Sequence, residues 1–537
     1  MKLTCFWALV ALYCIAMVLV GWVIRRRREQ QQLSGEVPHF EFWMAQRQMP
    51  AWWLAASITA GWLMLGWIGF GMSQIYMYGG TGLWILPIPW LVLCFIIIAM
   101  APLVRRLGAV SVPQALQQRF GPQLRVFAAL CSFLVFISWT QAELFMAGTL
   151  MSPFLGVPPW ACMAVVVVPI MIYTYQGGFR ANVTTDVLQF VLMIGFMLVL
   201  AGTALVGAHR AAPEGMVKAL AQATPPLSAK GAVFTLGFLG WLFPAMLFIG
   251  YLPGWLIEQD LTVRLQSARS TRDARVAAWW GLALIGIFVI VLPALIAFCA
   301  LVAYPPVNGA ANPAVDAQAY SIVSAFIGTL PAWLVGFMIL GIVACQMSTV
   351  DTFANVSAMP LAYDLVDPVL KRLNIPWRTR LGWARWVSVA VLAIALVLAM
   401  WSTSLQDVYY ISSGVLSASI AVPAFFIFWK RTTLPAAFAA SIAGFVTTIA
   451  GFLFEMKWLQ ADEKAAHYYK AVLPAWLHGS YMYNYIAAGV LVSVVVLVVV
   501  SLLSPAPAPE KLASVRPKPV DGYDEFLASA FSKKERD

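Results

Sequence analysis

Apolar runs of about 20 residues, the length that crosses a bilayer core as a helix, recur along almost the whole chain. The first, FWALVALYCIAMVLVGWVI, ends directly on four arginines, Arg25 to Arg28. A secretory signal carries its charges before the apolar run, so this pattern predicts a retained helix instead. About thirteen such runs are expected. The polar loops between them alternate in charge. Basic residues gather at Arg105 and Arg106, Arg119 and Arg125, Arg180, Arg264 to Arg275, Lys371 to Arg380, and Lys430 and Arg431. The other set, near 75–81, 152–158, 208–231, 304–330, 402–407 and 456–480, carries few. Basic loops stay cytoplasmic, which predicts an amino terminus outside and a Pro-rich, charged tail, 505–537, in the cytoplasm. The expected location is a cell (inner or plasma) membrane.

Two apolar runs are interrupted. ASITAGWLMLGWIGFG has glycines at 61, 66, 69 and 71. GFLGWLFPAMLFIGYLPGWLI has Pro244, Pro253 and glycines at 237, 240, 250 and 254. Unwound backbone at membrane depth survives where it is buried or lines a cavity. A pair of interrupted spans five apart therefore points to a transporter built from inverted repeats, with its binding site between them.

Composition agrees. Of 537 residues, 61% are hydrophobic and 11% charged, far from the roughly one-quarter charged content of soluble domains. The net charge of +11 follows loop topology, which argues against nucleic acid as a partner. All seven cysteines lie in apolar runs, with neither a disulfide nor a zinc spacing. There is no GxxxxGK[ST], no HExxH and no nucleophile elbow, and the four histidines (39, 209, 467, 478) fall outside the spans. Enzymatic chemistry and ATP-driven pumping are disfavoured. The tail is too short for the output domain of a sensor.

Four stretches resemble the sodium:solute symporter family in the right order: TYQGGFRANVTTDVLQ (174–189), EQDLTVRLQSARSTRDAR (258–275), CQMSTVDTFAN (345–355) and SSGVLSASIAVPAFFIFWKRTT (412–433). The resemblance implies an all-α polytopic membrane protein with a LeuT-like core of two five-helix inverted repeats. Their expected bounds are 40–207 and 232–431, with one extra helix before (1–30) and two after (432–504). It also implies symport of a small-molecule solute with sodium ions as the coupling ion, across the lipid bilayer.

Carried over by position, the family's sodium site implies main-chain oxygens of Ala60 and Leu63, the carbonyl of Cys345, and the hydroxyls of Ser348 and Thr349. A hard monovalent cation suits neutral oxygens, and helical hydroxyls at this depth otherwise need a partner. The alternative is that they bond back to carbonyls one turn earlier. Asp186 matches the signature aspartate. Ser348, Asp351 and Thr352 share a helix face, so Asp186, Asp351 and Thr352 are candidates for a second sodium site or an ion path. Trp62 stands where some amino-acid carriers of the family have an acidic residue.

Glu143, in FISWTQAELFMAG, falls mid-span, with Trp139 one turn before it. A carboxylate beside an indole suits an amine. A structural Glu bonded to a neighbouring helix and a proton-coupling group are the other readings. Trp255 matches a ring-stacking tryptophan of the sugar carriers, but Trp67 and Leu86 stand where those carriers have polar side chains, which disfavours a sugar. No Lys or Arg is expected well inside a core span. The expected solute is an amine, amino acid or other zwitterionic or cationic compound, with Glu143, Trp139, Trp67 and Trp255 around it. Proton coupling on the same fold is the runner-up.

Overall fold

The computed structural model describes residues 3–30, 42–107, 109–229, 232–237, 240–402, 404–472 and 484–508. Almost all of the expected tail, and part of the 456–480 segment, lie outside these. Among the described residues there are helices and two isolated bridges but no strand. In a solvent without hydrogen-bonding partners the backbone has to satisfy itself, and an apolar run does so as a helix.

The principal helices are α1 (Leu3–Gln30), α2 (Ala51–Trp62), α3 (Leu65–Tyr78), α4 (Pro87–Arg105), α5 (Pro122–Leu155), α6 (Pro159–Ala211), α7 (Leu242–Leu256) and α8 (Gln259–Gln266). They continue with α9 (Thr271–Ala303), α10 (Ala332–Arg372), α11 (Trp377–Met400), α12 (Leu405–Phe428), α13 (Leu434–Ala461) and α14 (Asn484–Leu503). Their ends follow local chemistry. Proline opens α4, α5 and α6 at the position where its missing N–H costs nothing. Ser270, Ser404 and Thr433 cap α9, α12 and α13 through their side-chain oxygens. Gly156 closes α5 in the left-handed conformation, φ 64°.

Ten helices among the described residues are long and apolar enough to cross a membrane, or eleven with α2 and α3 taken together as one bent span. That is fewer than the thirteen expected, and two elements depart from a single straight span. α6 runs for 53 residues and contains Gly178 at φ 58°, ψ −150°, a conformation essentially reserved for glycine. A Cβ there would sit 2.5 Å from the Phe42 ring. α7 has only 15 residues.

α10 is the central helix, with every residue from Gly341 to Met359 buried. It packs against α2, α5 and α6, while α1 lies against α6 and α10, and α13 pairs with α14 at the periphery. Apolar side chains such as Leu12 and Leu19 of α1, Trp386 and Val397 of α11, and Val495 of α14 point outward. On a soluble protein they would be a liability; here they form the lipid-facing surface.

Candidate functional site

The first interrupted run breaks between Gly61 and Gly66, as the sequence predicts. α2 ends at Trp62, where the Leu63 N–H reaches back to Thr59 O (2.9 Å) and Ala60 O (3.3 Å). α3 starts at Leu65, after two intervening residues, at an angle of 55°. The first N–H groups of a helix have no partner within it. Those of α3 are satisfied from another helix: Gly66 N–H donates to Glu143 Oε2 (2.9 Å) and Trp67 N–H to Glu143 Oε1 (3.2 Å). The Tyr409 hydroxyl of α12 donates to the same Oε1 at 2.9 Å. A carboxylate at the positive end of a half-helix is a favourable pairing. It also explains Gly66, because a Cβ there would lie 2.7 Å from Glu143 Oε1.

The second interruption differs from expectation. α7 runs through Pro244 and Pro253 without stopping, and the chain breaks later, at Ile257 and Glu258, before α8 begins at Gln259. Gly250 and Gly254 are sites of close approach instead, Gly254 meeting Ser417, whose Oγ accepts its N–H at 2.9 Å.

Between the two breaks lies a narrow cavity of about 10 Å³, lined by Met64, Trp67, Trp90, Trp139, Trp255, Glu258 and Tyr409. Met64 comes from the first break and Glu258 from the second. The Trp67 ring stands perpendicular to Trp255 (centroids 5.7 Å, 90°) and steeply inclined to Tyr409 (4.2 Å, 74°). The indole N–H groups of Trp139 and Trp255 are turned to Ser412 (2.7 Å) and Ser413 (3.3 Å) of α12. Trp67 Nε1, also buried, has no acceptor among the described residues.

A polar cluster adjoins the same break. Asp186 of α6 accepts from Ser348 of α10 (2.6 Å, Oδ1) and from Ser57 of α2 (2.5 Å, Oδ2). Arg264 of α8 reaches Asp186 Oδ2 (3.3 Å), the Thr352 hydroxyl (2.6 Å) and Ser57 Oγ (2.9 Å), and pairs with Asp260 at 3.4 Å. Asp260 in turn accepts from Trp62 Nε1 at 2.9 Å. Asp351 extends the cluster, accepting from the Thr352 hydroxyl at 3.4 Å (Oδ1) and from the Tyr173 hydroxyl at 2.6 Å (Oδ2). Thr349 Oγ1 donates within its own helix to Cys345 O at 2.9 Å. All of these residues are buried.

The sodium:solute symporter family profile matches residues 42–444. The chain belongs to that family. It is a multi-pass membrane transporter with sodium as its coupling ion, and the family's members are transporters, not enzymes. It is 24% identical over 490 residues to the sodium/glucose cotransporter of Vibrio parahaemolyticus, covering 83% of each chain. Human sodium/glucose cotransporter 4 is 24% identical over 494 residues, covering 84% of this chain and 69% of its own. The sodium/pantothenate symporter of Escherichia coli (strain K12) is 29% identical over 210 residues, 38% of this chain and 42% of that one. In structure, a substrate-bound, outward-open Na+-coupled sialic acid symporter superposes with a TM-score of 0.67 at 18% identity, covering 94% of this chain and 98% of that one. At such identity the likeness speaks for the fold.

The symporter's α2 and α10 meet through the two oxygens of Asp186, which bring Ser57 and Ser348 to one carboxylate. Ala60 and Leu63 lie at the end of that α2, and Cys345, Ser348 and Thr349 on the buried length of α10. Trp67, Trp139 and Trp255 share one cavity. Glu143 does not line it; the side chain is fully buried, holding the α3 amino end and the Tyr409 hydroxyl. Three residues escaped the sequence reading. Arg264, expected in a basic loop with no cation in the core, is buried at the centre of the polar cluster. Asp260 supplies from α8 the carboxylate that α2 lacks at Trp62. Glu258, its neighbour in EQD, lines the cavity. An acidic pair directly after an apolar run was the available signal.

Proposed function

We propose that this symporter couples inward sodium movement to import of a small cationic or zwitterionic organic solute, held where the two interrupted spans meet. The observation that carries the reading is that meeting: one cavity takes lining residues from both breaks, Met64 and Glu258. The anion-binding end of α3, which would suit a solute carboxylate, is already filled by Glu143. This favours a positive or neutral solute group in the cavity, and the scarcity of hydroxyls among its lining residues counts against a sugar.

The sodium ligands proposed are Ala60, Leu63, Cys345, Ser348 and Thr349. Thr349 gives its proton to Cys345 O, which leaves its oxygen lone pairs available to a cation. The Leu63 carbonyl ends α2 where donors ahead are few, and Ala60 O, which accepts from Leu63 N–H at 3.3 Å, keeps a second lone pair. For Asp186, Asp351 and Thr352 the support runs against a second sodium, since the Arg264 guanidinium already contacts Asp186 and Thr352. We propose a single coupling ion, with Arg264 supplying the second positive charge. The repeats are assigned to 40–207 and 232–431, the flanking helices to 1–30 and 432–504, and the end bearing Arg47, Arg105 and Arg269 to the cytoplasm of an inner-membrane protein, following the basic loops. Transport proceeds by rocking of one helix group against the other around the fixed site.

The buried chain Arg264–Thr352–Asp351–Tyr173 supports one rival, proton coupling. Uptake into proteoliposomes decides between them. Accumulation driven by a sodium gradient, with the half-saturating sodium concentration raised at least about tenfold in Ser348→Ala/Thr349→Ala, is the expected result. Equal uptake in sodium and potassium, or uptake that follows a pH gradient alone, overturns the reading.

A further inference from the structure

The geometry points to a methylated ammonium compound carrying a hydroxyl or carboxylate oxygen as the solute of this cavity, with Glu258, and not Glu143, as its counter-charge. The assignment rests on the solute-symport reading above and narrows it to a chemical class.

The walls are four indoles and a phenol: Trp67, Trp90, Trp139, Trp255 and Tyr409. Two of the indoles, Trp139 and Trp255, direct their N–H groups away into α12 hydroxyls, so those edges offer nothing to a polar solute. The orthogonal set of Trp67 against Trp255 makes adjacent sides of a box. Aromatic faces around a desolvated cation attract it through their quadrupoles, most strongly in the case of Trp, and quaternary ammonium groups are recognised in this way.

The number of methyl groups matters because of what the box lacks. A primary ammonium brings three N–H donors, each costly to bury without an acceptor. The lining residues hold one carboxylate, Glu258, and a Tyr409 hydroxyl whose proton already goes to Glu143. A fully methylated, quaternary ammonium has no such donors to satisfy, and its charge is spread over methyls that pack on ring faces and on the Met64 thioether. Glu258 then neutralises it. Glu143 is engaged by Gly66 N–H, Trp67 N–H and the Tyr409 hydroxyl. Asp260 is engaged by Trp62 and Arg264, and its side chain also meets that of Glu258.

A second observation gives the other half of the solute. Trp67 Nε1–H is only 3% exposed as a residue and has no acceptor among the described residues. A buried donor of this kind calls for one, and an oxygen on the solute supplies it. The cavity, about 10 Å³, has room for about one water as it stands, so its aromatic walls part to admit the solute.

The test uses the purified full chain in sodium buffer, titrated with choline, glycine betaine, ethanolamine and 3,3-dimethyl-1-butanol, the uncharged carbon isostere of choline. Tryptophan fluorescence reads binding directly, and uptake of labelled choline and betaine into proteoliposomes reads transport. Choline or betaine is expected to bind in sodium, with the neutral isostere and ethanolamine each at least about tenfold weaker. Glu258→Gln and Trp255→Leu weaken the methylated ammonium at least about tenfold while Trp255→Phe recovers part of the loss. Labelled sodium binding, retained in all three, reports that they are folded.

An isostere or ethanolamine that matches choline overturns the assignment. Sodium-enhanced binding of glucose or proline with none of choline or betaine overturns it too, and leaves sodium symport standing. Binding of choline that ignores sodium supports the class and removes the symport reading.

Discussion

Glu143→Gln isolates the cap on α3 from the chemistry of the cavity. The substitution keeps the shape of the side chain and changes its donors. Gly66 N–H, Trp67 N–H and the Tyr409 hydroxyl lie 2.9, 3.2 and 2.9 Å from the carboxylate oxygens. A carboxamide has one acceptor oxygen and two N–H donors, so one backbone N–H must face another donor. A hydrogen bond to a charged group contributes about 1.5–3 kcal/mol, and a buried donor left alone costs about 1–3 kcal/mol, two descriptions that overlap. Loss of the charge at the half-helix end adds about 0.3–1 kcal/mol, more when buried. The net destabilisation is therefore about 2–4 kcal/mol. Thermal unfolding in detergent with sodium present should show Tm lowered by several degrees. In parallel titrations of choline or betaine, affinity should fall less than it does in Glu258→Gln, because Glu143 does not line the cavity. An unchanged Tm would refute the capping role. A loss of binding greater than that of Glu258→Gln would return Glu143 to the part of receptor.

Three further substitutions probe the cluster and the kink. Arg264→Met leaves Asp186 and Asp260 without their partner, and breaking a buried pair costs about 3–5 kcal/mol; stability measured by thermal unfolding should fall by that order and recover in part when Asp186→Asn is added. Gly61→Ala puts a Cβ 2.7 Å from Arg264 Nη2 and 3.2 Å from Thr352 Oγ1; initial rates of sodium-driven uptake should drop, although alanine alone would favour the helix by about 0.5–1 kcal/mol. Gly178→Ala demands φ 58°, ψ −150° from a residue with a Cβ and drives it into Phe42; the yield of monodisperse protein should fall sharply, with a normal yield contradicting the kink.

The helical class and the first break were legible because each depends on local sequence. Apolar length dictates a spanning helix, and Gly61 and Gly66 bracket the position where α2 yields to α3. The second break was misread because proline acts by its position in a helix: Pro244 falls in the first turn of α7, where its missing N–H costs no bond, Pro253 is carried within the last turn, and the chain turns instead at Glu258. Arg264 was assigned to a loop for a related reason. Its segment reads as polar, but α8 is folded inward, so that a basic residue four positions after Asp260 serves buried carboxylates on two helices. Glu143 was recognised as costly at its depth, yet its partner could not be read, because an N–H freed by unwinding leaves no mark in the sequence.

Rocking around a fixed site needs the two ends of the cavity to close with bonds that water can replace. At the end assigned to the cytoplasm, Met49 N–H donates to Ser267 O (2.9 Å) and Arg269 N–H to Met49 O (3.1 Å). Arg47 and Arg105 add their Nε–H groups to Gln266 O and Ala268 O, both at 2.8 Å. The opposite end is joined by Tyr76 to Tyr304 O (2.6 Å), Ser73 to Gln318 O (2.5 Å) and Thr81 to Thr235 O (3.0 Å). Both seams join the first broken span and its neighbours to the segments after α6, and both are made of hydrogen bonds to carbonyls. Each neutral bond adds only about 0.5–1.5 kcal/mol net and each guanidinium bond about 1.5–3 kcal/mol, since an opened seam is hydrated. A seam of this kind comes to several kcal/mol, the scale on which differential binding of an ion and a solute shifts a two-state equilibrium. A seam of packed apolar side chains would gain no such hydration on opening, and would hold the molecule in one state whatever was bound.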